Sequence, residues 1–127
     1  LFFPCGLGHA MGLDVHDMDN LGEDYVGYTG QIQRSSQFGL DRLRLAKPLK
    51  PGMVITVEPG LYFIPGLIAK WQAEGNYTDF IQYRALEPYL KFGGVRVEDD
   101  VVITKTGYRV LGHPIPKTIA EVEQIRQ

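Results

Sequence analysis

The sequence predicts an α+β domain built on a mainly antiparallel sheet with covering helices. Three observations lead there. Short β-rich runs recur at Met53–Val57, Leu61–Ile64 and Val95–Ile103, and Pro-Gly or Gly-Gly pairs flank them. Val95–Ile103 is followed by a Lys105-Thr106-Gly107 turn and by Tyr108–Leu111, the pattern of a hairpin, whose strands are antiparallel. Helical spacing is confined to Gly66–Glu74, Ala85–Phe92 and the segment after Pro116.

Taken in order, residues 1–4 read as the end of an extended segment and residues 5–16 as a Gly-rich stretch. Asp17–Ser36 is polar and rich in turn formers (Asn20, Gly22, Gly27, Gly30), which predicts an exposed loop. Phe38–Lys50 mixes basic residues with leucines, and Pro48 and Pro51 prevent a long helix. Met53–Val57 reads as a buried strand and Leu61–Ile64 as a second extended piece. Gly66–Glu74, with Leu67, Ile68 and Trp71, forms a helix that stops at Gly75. Ala85–Phe92 predicts a short helix ended by Gly93-Gly94. In the last helix, Thr118 and Glu121 make a capping box, with Val122 and Ile125 as the apolar stripe.

Three clusters carry chemistry. In Cys5–Asp17, His9 and His16 lie among glycines that let the backbone turn sharply and approach a bound group. Histidine and carboxylate are common ligands of transition metals, and histidine is the usual proton shuttle near neutral pH. The same two histidines also fit ordinary polar positions in a Gly-rich loop. In Thr56-Val57-Glu58-Pro59-Gly60, alternation puts Val54, Thr56 and Glu58 on one face and Ile55 and Val57 on the other. A carboxylate ending an apolar strand is costly to bury unless it is paired or metal-bound, or it simply begins an exposed turn. In Gly93–Asp100, alternation places Arg96, Glu98 and Asp100 on one face, either as an arginine orienting a functional carboxylate or as a solvated salt bridge. One histidine and two carboxylates at strand edges would make part of a site for a hard divalent ion such as manganese, or for zinc.

The 127 residues fit one domain with one moderate core. A net charge of −2, without a basic block, gives no support for binding nucleic acid or a membrane surface. No apolar run is long enough to span a bilayer. The single cysteine excludes an internal disulfide and suits a reducing, cytoplasmic compartment. An apolar opening at Leu1, with no charged leader, predicts a piece that starts in mid-domain.

The stretches FFPCGLGHAMGLDVHD, LKPGMVITVEPGLYF and FGGVRVEDDVVIT resemble, in order and spacing, the C-terminal part of the pita-bread metallopeptidases, the family of prolidase and aminopeptidase P. The resemblance covers the chain from Phe2 to the last hairpin. It implies metal-dependent hydrolysis of Xaa-Pro bonds, with two divalent ions (manganese, or zinc or cobalt) held by two aspartates, one histidine and two glutamates. It puts the histidine ligand at His9 and the glutamates at Glu58 and Glu98, with Glu98 bridging and Glu58 also the general base. His16 would contact the substrate and stabilise the tetrahedral intermediate. Arg44 would stand near the substrate carboxylate and Arg96 near the metals. Cys5 occupies a pocket position that is usually histidine. The two family aspartates lie upstream of the histidine motif, and Asp14 and Asp17 do not replace them. The chain is therefore expected to be a C-terminal fragment of the catalytic domain (residues 1–127), lacking the N-terminal domain and the first half of the catalytic domain. Alone it is expected to be inactive and to self-associate, whereas the parent forms a homo-oligomer. The alternative is a non-catalytic binding or scaffold protein on the same fold.

Overall fold

The computed structural model describes all residues, 1–127. Five strands and three α-helices follow one another as α1 (Glu23–Val26), β1 (Val54–Val57), β2 (Gly60–Tyr62), α2 (Pro65–Ala73), β3 (Gly94–Arg96), β4 (Asp99–Ile103), β5 (Tyr108–Val110) and α3 (Ile119–Ile125). Every strand pairing is antiparallel. β4 lies between β1 and β5, and β2 pairs with β3.

The run Val95–Ile103, expected as one strand, is broken between Arg96 and Asp99, and the β1–β2 run is broken opposite it. Val57 pairs with Asp99 and Gly60 with Arg96, so both ladders keep a single register. That register puts Pro59 across from Val97 and Glu58 across from Glu98. The break has a chemical cause. Val97 N–H donates to the Pro59 carbonyl at 3.1 Å, but Pro59 has no N–H to return the bond.

The Gly-rich stretch runs along the free edge of β1. Thr56 N–H donates to the His9 carbonyl, Glu58 N–H to Leu7, and Met11 N–H to Val54, at 2.9, 2.7 and 3.0 Å. Ala10 and Ile55 form an antiparallel bridge. β1 is thus covered on both edges, and Ile55, Thr56 and Val101 are buried there.

Elsewhere the structure amends the expected elements. The loop Asp17–Ser36 contains a 3-10 turn at Asp19–Leu21 and α1, and Tyr28 beyond them is buried, its hydroxyl donating to the Leu43 carbonyl at 2.7 Å. The helix expected at Ala85–Phe92 is a 3-10 helix over Tyr83–Tyr89, because Pro88 cannot donate in an α-helical ladder. α2 begins with Pro65 in its first turn and gives way to Gly75 at φ +67°. The capping box of α3 forms: Thr118 accepts from the Glu121 N–H, and the Glu121 carboxylate accepts from the Thr118 N–H at 2.9 Å.

The moderate core does not materialise. Only 8 of 127 residues are buried, and the apolar side chains among them are Tyr28, Ile55, Ile68 and Val101. Ile119, Val122 and Ile125 of α3 are all exposed, as is Leu13. Hydrophobic residues are plentiful in the sequence, but few have a second layer to pack against.

Candidate metal centre

Three of the eight buried residues are polar and adjacent: His9, Thr56 and Glu58. Burying such groups is unfavourable unless each finds a partner, and here each does. His9 Nδ1 lies 3.0 Å from the Ala10 carbonyl. A carbonyl only accepts, so Nδ1 carries the proton and Nε2 faces Glu58 Oε1 at 3.2 Å. Thr56 Oγ1 accepts from the His9 backbone N–H at 3.0 Å and donates to Glu58 Oε1 at 2.9 Å. Arg96 Nη1 donates to the other oxygen, Glu58 Oε2.

Arg96 stands between the two glutamates, with the same nitrogen 3.9 Å from Glu98 Oε2. Its Nε donates to the Tyr62 hydroxyl at 2.7 Å. That bond, followed by the charge of Glu58, holds the guanidinium pKa above its ordinary value. Glu98 is exposed, and its carboxylate reaches the cluster through Arg96.

A cavity of about 350 Å³ opens on this cluster, lined among others by Cys5, His9, His16, Arg44, Glu58 and Arg96. The His16 ring meets the His9 ring edge-on, 4.3 Å between centroids. Arg44 faces the cavity, but its Nη1 is held by Asp19 and by Glu23, the latter at 3.1 Å. The fold therefore gathers Cys5, His9, His16, Arg44, Glu58 and Arg96 around one space and leaves Glu98 at its border.

Three participants escaped the sequence reading. Thr56 joins His9 to Glu58, Tyr62 orients Arg96, and Arg42 lines the cavity. The alternation that paired Thr56 with Glu58 was a signal for the first. Nothing local marked Tyr62 or Arg42, because their roles come from neighbours distant in the chain.

The donor set fits a cation. Nε2 and a carboxylate oxygen 3.2 Å apart face one another across a gap that a proton or a cation can bridge. A histidine that donates its other N–H to a backbone carbonyl has the usual arrangement of a metal ligand. Within the chain no third histidine, cysteine or carboxylate joins these two in a set able to hold a metal.

Residues 1–105 match the model of metallopeptidase family M24. The chain belongs to this family. It is 43% identical to an Xaa-Pro dipeptidase of Rattus norvegicus over 97% of its own length and 23% of the relative's. It is 40% identical to a probable Xaa-Pro aminopeptidase of Blastomyces gilchristii over its full length and 25% of the relative's. Among solved structures it is similar to aminopeptidase P from E. coli with the inhibitor Pro-Leu, with a TM-score of 0.55 and 33% identity, covering 98% of this chain and 20% of that one. The M24 chain thus spans about a quarter of the length of the curated relatives it matches. The antiparallel α/β architecture corresponds to part of the aminopeptidase P pita-bread fold.

Proposed function

We propose that the chain supplies the histidine-and-glutamate side of the active site of an Xaa-Pro-cleaving metallopeptidase. The buried His9–Glu58 contact carries this reading, supported by the similarity to Xaa-Pro dipeptidases and aminopeptidase P. His9, Glu58 and Glu98 would hold the divalent ions, manganese first and zinc or cobalt as alternatives, with two aspartates from sequence outside this chain. When bound, the metal supplies Lewis-acid polarisation of the scissile carbonyl and of the attacking water.

The chain's own residues do the rest. Glu58 takes the proton of the attacking water and passes it to the leaving nitrogen. Arg96 keeps the second Glu58 oxygen in place, so the proton goes to Oε1, whose other lone pair accepts from Thr56. His16 reaches into the cavity from beside His9 and hydrogen-bonds the oxygen that gains charge. Arg44 draws the free carboxylate of a dipeptide, with Asp19 and Glu23 fixing its direction. Cys5 stands at the pocket wall.

On this reading residues 1–127 are the C-terminal part of a cytoplasmic, homo-oligomeric enzyme and are inactive alone. Their exposed apolar side chains also favour self-association. The test is an Xaa-Pro hydrolysis assay on the isolated chain and on the full-length protein, with added manganese, cobalt or zinc and with light scattering. Turnover by the full-length protein alone is expected. Turnover by the isolated chain at the same rate overturns the division of the site. A full-length protein that binds peptide but never cleaves it establishes the second reading, a binding protein on the same fold, which Cys5 at a usual histidine position favours.

A further inference from the structure

We propose that Thr56 is a positioning residue that decides which oxygen of Glu58 faces His9. The proposal rests on the reading of His9 and Glu58 as metal ligands and deepens it.

Each pair of the edge ladder between residues 7–11 and β1 makes one of its two backbone bonds, and at His9–Thr56 a side chain supplies the other. Thr56 N–H donates to the His9 carbonyl, as a regular antiparallel pair requires. The returning bond, from His9 N–H, goes to the Thr56 hydroxyl at 3.0 Å. The Thr56 carbonyl is packed against Gly8, where an added Cβ would lie 1.9 Å from that oxygen. The hydroxyl thus does the work of a backbone acceptor. Its one proton remains free to be donated, and it goes to Glu58 Oε1 at 2.9 Å.

Both functions of the hydroxyl are committed in a residue only 2% exposed, so water does not compete for them. One side chain therefore fixes the backbone of His9 and the carboxylate of Glu58 together. Arg96 takes Oε2 and Thr56 takes Oε1, leaving the carboxylate a single orientation toward His9 Nε2. Valine has the same branching and would fill the same space, but it supplies neither bond. Serine supplies both.

The test compares Thr56→Val and Thr56→Ser in the full-length protein, where the ligand set is complete. Two quantities are read: the Glu58 carboxyl carbon resonance without metal, and zinc affinity by calorimetry. Thr56→Val is expected to shift the resonance and to weaken zinc binding by about tenfold or more, the usual effect of losing a group that orients a ligand. Thr56→Ser is expected to restore both. A folded Thr56→Val chain with an unchanged resonance and unchanged zinc affinity overturns the proposal, as does failure of serine to restore them. Should Thr56→Val not fold, the unsubstituted chain decides. A slowly exchanging Thr56 hydroxyl proton with a cross-peak to the His9 amide supports the proposal, and its absence overturns it. If the full-length protein binds no zinc with or without these substitutions, the metal reading falls, while the Glu58 resonance still decides the role of Thr56.

Discussion

Replacing Gly8 by alanine tests whether the site depends on the close approach of residues 7–11 to β1. The obstacle is steric, since an alanine Cβ would meet the Thr56 carbonyl oxygen at 1.9 Å and its carbon at 2.8 Å. Both are backbone atoms of a buried strand residue, so no side chain can swing away. The edge segment must retreat by roughly 1.5 Å to reach ordinary contact, and bonds now 2.7, 2.9 and 3.0 Å long then stretch past useful geometry. They are Glu58 N–H to Leu7, Thr56 N–H to His9, and His9 N–H to the Thr56 hydroxyl. At about 1 kcal/mol each, their loss costs about 3 kcal/mol. For a chain of this size that lowers Tm by ~10 °C. His9 leaves Glu58 in the same movement, so zinc affinity falls with stability. Gly66→Ala is the control. Gly66 lies in α2 with no atom within 4 Å of the added Cβ, and alanine there should stabilise by about 0.5–1 kcal/mol. Circular dichroism melts of both variants, and zinc calorimetry on the same variants of the full-length protein, give the comparison. A Gly8→Ala chain that melts with the unsubstituted chain and binds zinc equally would refute the dependence.

Three further outcomes are expected. In the full-length protein, Arg96→Ala should cut Xaa-Pro turnover by about tenfold or more while costing about 1–3 kcal/mol in stability, because the buried Glu58 carboxylate loses the partner of its Oε2; a larger Tm loss with unchanged turnover would make Arg96 structural. Cys5→His in the same protein should leave metal content unchanged and raise turnover of a standard Xaa-Pro substrate; a fall would mean that the pocket is built around cysteine. Bonds from the backbone and hydroxyl of Thr118, and from the Lys117 N–H, hold the Glu121 carboxyl below its ordinary pKa of 4.5. The stability this lends to α3 is therefore present above that value and lost as pH falls through the lower, folded one. Amide exchange in Ile119–Ile125 should rise on acidification below the ordinary carboxyl value of 4.5, and Thr118→Ala should bring the same fraying at neutral pH.

Much of the site's chemistry was legible in residue types and spacing. Glu58 stands out because a carboxylate is expensive to bury at the end of an apolar strand, His9 and Glu98 were marked by the family resemblance of their motifs, and the capping box of α3 is a purely local pattern that the fold realises unchanged. Other features needed partners far along the chain. The break between Arg96 and Asp99 depends on Pro59 lying across from Val97, and alternation within one strand cannot report that.

The sequence by itself determined the antiparallel hairpin of β4 and β5, the capping box of α3, and the kinds of side chain available for the site. These follow from period, turn residues and local hydrogen bonding, which act over a few residues. Only the tertiary structure decided that Thr56 ties His9 to Glu58, that Arg96 separates Glu58 from Glu98, and that Arg44 is held by Asp19 and Glu23. It also decided that few of the many apolar residues are buried, because burial requires a second layer and periodicity states only which face is ready to receive one.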